Sequence, residues 1–438
     1  MTRGRRQMQR WVMAAGFLTL LASVPATAES VVGIRSTSHS DSAGWIDAGQ
    51  AATPVLTGVL DRPRAGYEPH GIRLGTFTLY TGLAGTAAYD SNVLATRKSR
   101  SNDIVTRLTP SFLLRSGWRE NEFALYGALE RVAYREFDSD NQVNGHVGMR
   151  GTLHVRSDLR LRGYADWMRT HEDRGAAEAS LAGSIFDKPL QRDTFATGLA
   201  VDKRFNRFTA SVGGSYQHLD YADGSIGGVP VSQSYRSGDI YTTKARLAYE
   251  ISPKVSIFTE GGYEWRTFDD SALDSQGTRL LLGFSTELTR LMRGEVYAGY
   301  LGQTFDTVGV RDISTYTYGG HLRWYASPLM TVSFVGERNI KEAAYATTGT
   351  YIQSQAGVRI DYELRRNVIL SARGGLEWDD YQQASRRDLV KTLGLSGTYL
   401  INRNVHVSLD YRFTDRDSSI DLFDYTRSII ALTTRLQY

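Results

Sequence analysis

The sequence predicts an all-β fold: a transmembrane antiparallel up-and-down β-barrel of about 18 strands, with 16 as the nearest alternative count. Three observations carry this. Segments of about ten residues alternate apolar and polar side chains as far as the C-terminus. Short and long connections alternate between those segments. After the N-terminus, no apolar run of helix-crossing length occurs.

The first element is a secretory signal over residues 1–28. Arg3, Arg5, Arg6 and Arg10 form a basic start, Trp11 to Val24 an apolar stretch, and Ala26-Thr27-Ala28 a small-residue cleavage pattern. The apolar stretch is too short to cross a bilayer. It also explains the charge. The chain has 51 Lys+Arg and 47 Asp+Glu, and those four arginines precede Glu29, the first acid. The expected mature chain is therefore neutral, which excludes nucleic acid as a partner drawn by bulk charge. With 0 cysteines in an exported chain, stability must come from extensive pairing or a large core rather than from disulfides.

Residues 29–72 follow as an N-terminal periplasmic segment, weakly patterned. It can be read as a disordered lead, a plug, or a docking arm for a periplasmic partner. The barrel is expected over residues 73–438. Its first six strands are predicted near 73–89, 104–118, 122–137, 142–156, 159–170 and 192–204. Six more lie near 208–221, 237–251, 255–267, 277–288, 294–304 and 315–326, and the last six near 330–340, 351–364, 368–380, 387–400, 405–415 and 425–438. In 405–414, Val405, Val407, Leu409, Tyr411 and Phe413 oppose His406, Ser408, Asp410, Arg412 and Thr414. Such alternation is a strand between two different solvents.

Tight turns at Ser157-Asp158, Phe205-Asn206-Arg207, Ser252-Pro253-Lys254, Ser327-Pro328 and Asn402-Arg403-Asn404 alternate with longer polar connections such as 171–191, 222–237 and 416–424. Outer-membrane barrels put short turns in the periplasm and long loops outside. Of the long connections, 171–191 could fold inward, although surface display is the favoured reading. His171-Glu172-Asp173, which opens it, reads as solvated.

Charges assign the faces. Arg115, Arg150, His154, Arg160, Arg162, Asp166, Lys244, Arg246, Glu250, Glu260, Glu264 and Arg266 share the polar parity of their strands. So do Arg323, Glu337, Arg359, Asp361, Glu363, Arg373, Glu377, Asp410, Arg412 and Arg435. A Lys or Arg at the lipid midplane costs about 2–4 kcal/mol, so these are expected to line a wet lumen. Their mixed sign permits cross-strand ion pairs and argues against strong selectivity for one ion class. The outward apolar set is expected to meet outer-membrane lipid.

Aromatics mark the strand ends. Trp118, Phe123, Phe205, Phe208, Tyr249, Trp324, Tyr362 and Tyr399 lie beside short turns. Tyr89, Phe137, Trp167, Tyr221, Trp265, Phe268, Trp378 and Phe413 lie beside long loops. They are read as two interfacial girdles. The terminal Tyr438 resembles the aromatic C-terminal signal of outer-membrane proteins.

Asp61-Arg62-Pro63-Arg64, Tyr67-Glu68-Pro69, Gly71 to Gly75, Phe77 and Tyr89-Asp90-Ser91-Asn92-Val93 form a run over residues 61–94. This run resembles the type-2 β-barrel porin family of Gram-negative outer membranes, and the rest of the chain shares only the hairpin rhythm. Glu68 and His70 stand where Asp and Leu are more typical. The resemblance implies a conduit for a secreted exopolysaccharide, working beside a periplasmic polysaccharide export protein. Physically, Tyr89-Asp90-Ser91-Asn92 reads as a strand end in turn-forming residues rather than a calcium site.

No GxSxG, HExxH, CxxC or Walker-type loop occurs, so no catalytic residue, metal or cofactor is expected. Asp379 and Asp380 point to opposite faces by alternation and cannot act as paired acids. Alongside export stand two alternatives: a general diffusion or sugar-uptake porin, and a plugged structural barrel.

Overall fold

The computed structural model describes residues 58–175, 186–289, 291–307, 310–342, 350–382 and 384–438. The expected signal residues 1–28 and segment 29–57 lie outside the described residues. The chain runs as β1 (Ile72–Leu74), β2 (Phe77–Asp90), β3 (Asp103–Ser116), β4 (Glu122–Tyr134), β5 (Gln142–Arg156), β6 (Leu159–His171), β7 (Gln191–Phe205) and β8 (Phe208–Tyr221). A short hairpin, β9 (Gly224–Ile226) and β10 (Val229–Val231), interrupts the series. It resumes with β11 (Gly238–Ser252), β12 (Val255–Phe268), β13 (Ser275–Thr289), β14 (Met292–Phe305), β15 (Ile313–Ser327) and β16 (Met330–Glu342). It ends with β17 (Thr350–Arg365), β18 (Val368–Tyr381), β19 (Arg387–Leu400), β20 (Val405–Ser418) and β21 (Tyr425–Gln437).

Each strand from β2 to β8 and from β11 to β21 pairs antiparallel with its neighbours, and β8 pairs β11. The ring closes where β2 pairs β21, from Gly82 opposite Gln437 to Asp90 opposite Ile429. Thr81 and Tyr438 add a reciprocal pair of backbone bonds at 3.0 and 3.3 Å. The result is a closed 18-stranded antiparallel barrel. Closure is what lipid demands, because an unpaired backbone edge has no water to turn to.

The predicted strands match the observed ones closely, with one correction. The expected strand over 73–89 is two: β1 turns at Gly75, whose φ of +64° suits glycine, and folds back on β2 with Leu74 opposite Phe77. β1 thus occupies the sheet position below the end of β21.

The exterior is greasy. Leu199 is 72% exposed, Leu282 68%, Val212 61% and Leu409 56%, each flanked along its strand by less exposed inward residues. In a soluble protein such a surface would be untenable; in hydrocarbon it is the required solvent-facing set. Trp118, Phe205, Phe208, Trp324, Tyr362 and Tyr399 are exposed near the short turns, and Tyr89, Trp167, Trp265 and Trp378 near the long loops. Two girdle assignments are corrected. Tyr221 has the inward parity and lies against the Arg236 guanidinium, 4.0 Å from its ring centre. Phe268 is buried, on the same parity as Phe258 and Glu260. Nearness to a loop placed both residues in the girdle, but their parity points them inward.

Candidate functional site

At 18 strands, side chains cannot fill the interior, so the candidate site is the lumen with its two mouths. Alternation places Arg115, Arg150, His154, Arg160, Arg162, Asp166, Lys244, Arg246, Glu250, Glu260, Glu264 and Arg266 on the strand face opposite the exposed apolar residues. Arg323, Glu337, Arg359, Asp361, Glu363, Arg373, Glu377, Asp410, Arg412 and Arg435 share that face. The register then brings many together.

Asp202 of β7 accepts from Arg160 at 3.0 Å and from Arg162 at 2.8 Å, with Ser211 donating a third bond at 2.8 Å. Arg246 reaches Glu295 at 2.6 Å and lies 3.7 Å from Glu260. Arg266 donates to Glu264 at 2.6 Å, Arg359 to Asp361 at 2.9 Å, and Arg204 to Glu250 at 3.0 Å. The Tyr126 hydroxyl donates to Asp166 at 2.5 Å, and Gln355 donates to Glu337. The Nε of Arg435 is buried without a hydrogen-bond partner among the described residues. Fixed alternating charge of this kind hydrates a wall while leaving little net field along it. Asp202 and Glu295 were missed from the sequence, although the same parity argument would have found both.

The periplasmic mouth is crossed by residues 58–71. Asp61 accepts from Arg323 at 2.7 Å, and Val59 N donates to Thr331 Oγ1 at 2.9 Å. Arg62 and Arg64 share Glu363 at 3.4 and 3.1 Å, and Arg62 also donates to the Pro328 carbonyl. Glu68 turns back to accept from Arg64 N at 2.8 Å. From β1 the strap reaches β15–β17 well around the ring, at Arg323, Thr331 and Glu363. Burial lowers the Arg64 guanidinium from its ordinary value, and the Glu363 carboxylate opposes that.

At the outer mouth, the loop after β6 turns inward, which corrects two expectations. His171-Glu172-Asp173 is not solvated: His171 bonds Asn144 at 2.9 Å, Glu172 is 8% exposed and held by Arg236, and Asp173 accepts from Arg427 at 2.8 Å. Arg427, on the last strand, also clamps Asp90 at 2.6 Å. Tyr425 donates to the Gly175 carbonyl at 3.4 Å, and Arg174 binds Asp140 at 2.5 Å. So residues 172–175 lean across toward the seam instead of standing on the surface; 176–185 lie outside the described residues. A polar cavity of about 20 Å³ lies beneath, lined by Arg107, Glu130, Gln142, Asn144 and Asp173 among others, enough for a water molecule.

Asp90 and Asn92 behave as turn formers. Asp90 accepts from Asn92 N at 3.0 Å, and the Asn92 amide donates to Thr96 and Thr426 carbonyls at 2.8 and 2.9 Å. Among the described residues no His, Asp or Glu group is arranged to hold a metal.

The hairpin of β9 and β10 packs on the return of the inward loop. Asp187 accepts from Gly227 N, Gly228 N and Ser225 Oγ at 2.8, 2.9 and 2.8 Å. Those bonds, led by the Gly228 amide, hold its carboxyl below the usual range.

No curated protein matches the sequence. Among solved structures, the chain is similar to the outer membrane protein OpdK of Pseudomonas aeruginosa, at 14% identity and a TM-score of 0.44, covering 82% of this chain and 99% of that one. It is likewise similar to a BenF-like porin from Pseudomonas fluorescens, at 11% identity and a TM-score of 0.47, covering 83% and 100%. A family model described as "Putative beta-barrel porin 2" matches residues 64–438, the whole barrel and the docked arginine of the strap. The chain belongs to that family and is an outer-membrane β-barrel porin.

Proposed function

We propose that the protein is a diffusion channel for the uptake of small hydrophilic solutes. One observation carries this: both mouths are narrowed by the chain itself, with residues 58–71 docked inside the periplasmic end and residues 172–175 tied inward at the outer end. A folded strap and an inward loop suit sieving by size better than passage of a thick polymer. The ion-paired wall supports weak, multi-site contact with polar solutes and mild ion selectivity. Liposomes containing the purified protein should admit monosaccharides and small organic acids, with rates falling steeply toward oligosaccharides. Equal rates across that series would refute the sieve.

A second reading, export of a secreted polysaccharide beside a periplasmic export protein, is favoured by one feature. The Asp61–Pro69 run that carries the family resemblance lies at the periplasmic mouth, where such a partner would first reach the barrel. Export predicts that deleting the gene abolishes surface polymer and leaves small-solute flux unchanged. Uptake predicts the reverse.

A further inference from the structure

Arg131 stands on the wrong side of the wall. On β4 the inward residues Glu130 and Val132 are 7% and 2% exposed, whereas Leu129 is 53% exposed on the outside, and Arg131 shares its parity and is exposed. Its cross-strand partners on that outer face are Leu108 of β3, 51% exposed, and Val143 of β5, 42% exposed. A guanidinium thus sits in the middle of an apolar exterior. Two strands away on either side are the exposed girdle residues Tyr89 of β2 and Trp167 of β6, so the position belongs to the outer membrane interface. Arg135 continues the same parity just past the strand end. Its N–H donates to the Ile104 carbonyl at 3.1 Å, and its side chain is exposed.

The other outward cations in the outer halves of the strands have protein partners. Arg169 is bidentate on Asp193 at 2.6 and 2.7 Å, Lys391 meets Asp415 at 3.3 Å, and Arg387 meets Asp380 at 3.1 Å. Arg338 donates to the Ser354 hydroxyl at 2.7 Å and lies over the Tyr316 ring. Among the described residues, Arg131 and Arg135 have no such partner, and the nearest outward carboxylate on the following strands, Asp193, is already taken by Arg169. A lipid-facing arginine costs least where an anion at headgroup level completes it.

We propose that Arg131 and Arg135 bind the phosphate of an outer-leaflet phosphoglycolipid of the lipid A class. The planar guanidinium fork matches phosphate oxygens in pairs, which an ammonium does not. Beneath it Leu108, Leu129 and Val143 offer an apolar wall for the acyl chains of the same molecule. Headgroup phosphate above and saturated chain below is the pattern this patch reads, and a free anion would use only half of it.

The test is a native mass-spectrometric titration of the full chain in detergent with bisphosphorylated lipid A and with its dephosphorylated form. The expected result is a retained one-to-one adduct with the phosphorylated form, weakened at least about tenfold in R131Q/R135Q, which removes both charge-assisted phosphate contacts. K391Q should bind as the parent does, and heat-modifiable mobility on gels should show that every variant is folded. Equal retention of both lipids, an unaffected double variant, or displacement by equimolar inorganic phosphate would each overturn the proposal.

Discussion

Arg64 and Glu363 are separated by 299 positions in the chain and by 3.1 Å in space. That pair fastens the strap across the periplasmic mouth, and both side chains are about nine-tenths buried. Removing one member of a buried pair leaves the other uncompensated, at a cost of about 3–5 kcal/mol. Glu363→Gln should therefore free residues 58–71, seen as faster amide exchange there and a larger single-channel conductance in planar bilayers. Unchanged exchange and conductance would mean that the remaining Asp61–Arg323 bond suffices.

The inward loop depends on close approach. A Cβ on Gly175 would stand 2.6 Å from the Tyr425 hydroxyl oxygen and 2.9 Å from its ring carbon. Gly175→Val should push residues 172–175 off the seam and raise permeation of solutes near the size limit in liposome assays. Tyr425→Phe removes a single hydrogen bond and should change flux far less.

The wall can be unbalanced at one point. Asp202→Asn leaves Arg160 and Arg162 without the carboxylate they share. The expected outcome is a reversal potential displaced toward anion preference under a salt gradient, largest at low ionic strength where screening is weak.

Outward positions between the two girdles favour apolar side chains. Leu282, 68% exposed to lipid, should cost about 2–4 kcal/mol when replaced by arginine if it lies near the midplane. Leu282→Arg is expected to lower the urea midpoint for barrel unfolding in vesicles. Replacement by valine should leave it nearly unmoved.

Acid should loosen one external loop before the barrel. Asp187 has its carboxyl lowered below 3.8 by the Gly228, Ser225 and Gly227 bonds. Its contribution is complete above the unfolded value and is lost as pH falls through the lower folded value. Amide exchange at Gly227 and Gly228 should accordingly rise at the acidic end, below about pH 4, and Asp187→Asn should show the faster exchange already at neutral pH.

Much of this was legible from the residues. Alternation is local, so Leu409 against Asp410 reveals a strand, its two faces and its lumen parity without any knowledge of partners. The 18 strands and the inward set follow from repeating that reading. What lay hidden is contact between distant segments. Asp173 and Arg427 are 254 positions apart, and nothing near His171-Glu172-Asp173 signals that an arginine of the final strand will claim it. Tyr221 and Phe268 were misplaced for a different reason: proximity to a loop was allowed to outweigh parity. Arg131 shows the converse. Its outward parity was readable, and its significance emerges only once the surrounding strands prove to supply no anion.

A ring folded from one ribbon has a single line where the ribbon's two margins touch without a turn to join them, and here that line runs between β2 and β21. Its outer end is riveted: Arg427 grips Asp90, Asn92 reaches the Thr426 carbonyl, Ser91 and Ser428 bond each other, and Asp173 arrives from across the ring. Its inner end, among the described residues, is held by the backbone ladder and the Thr81–Tyr438 exchange. Opening of the cylinder along this line is therefore expected to begin at the inner end and to be arrested at the Arg427–Asp90 rivet.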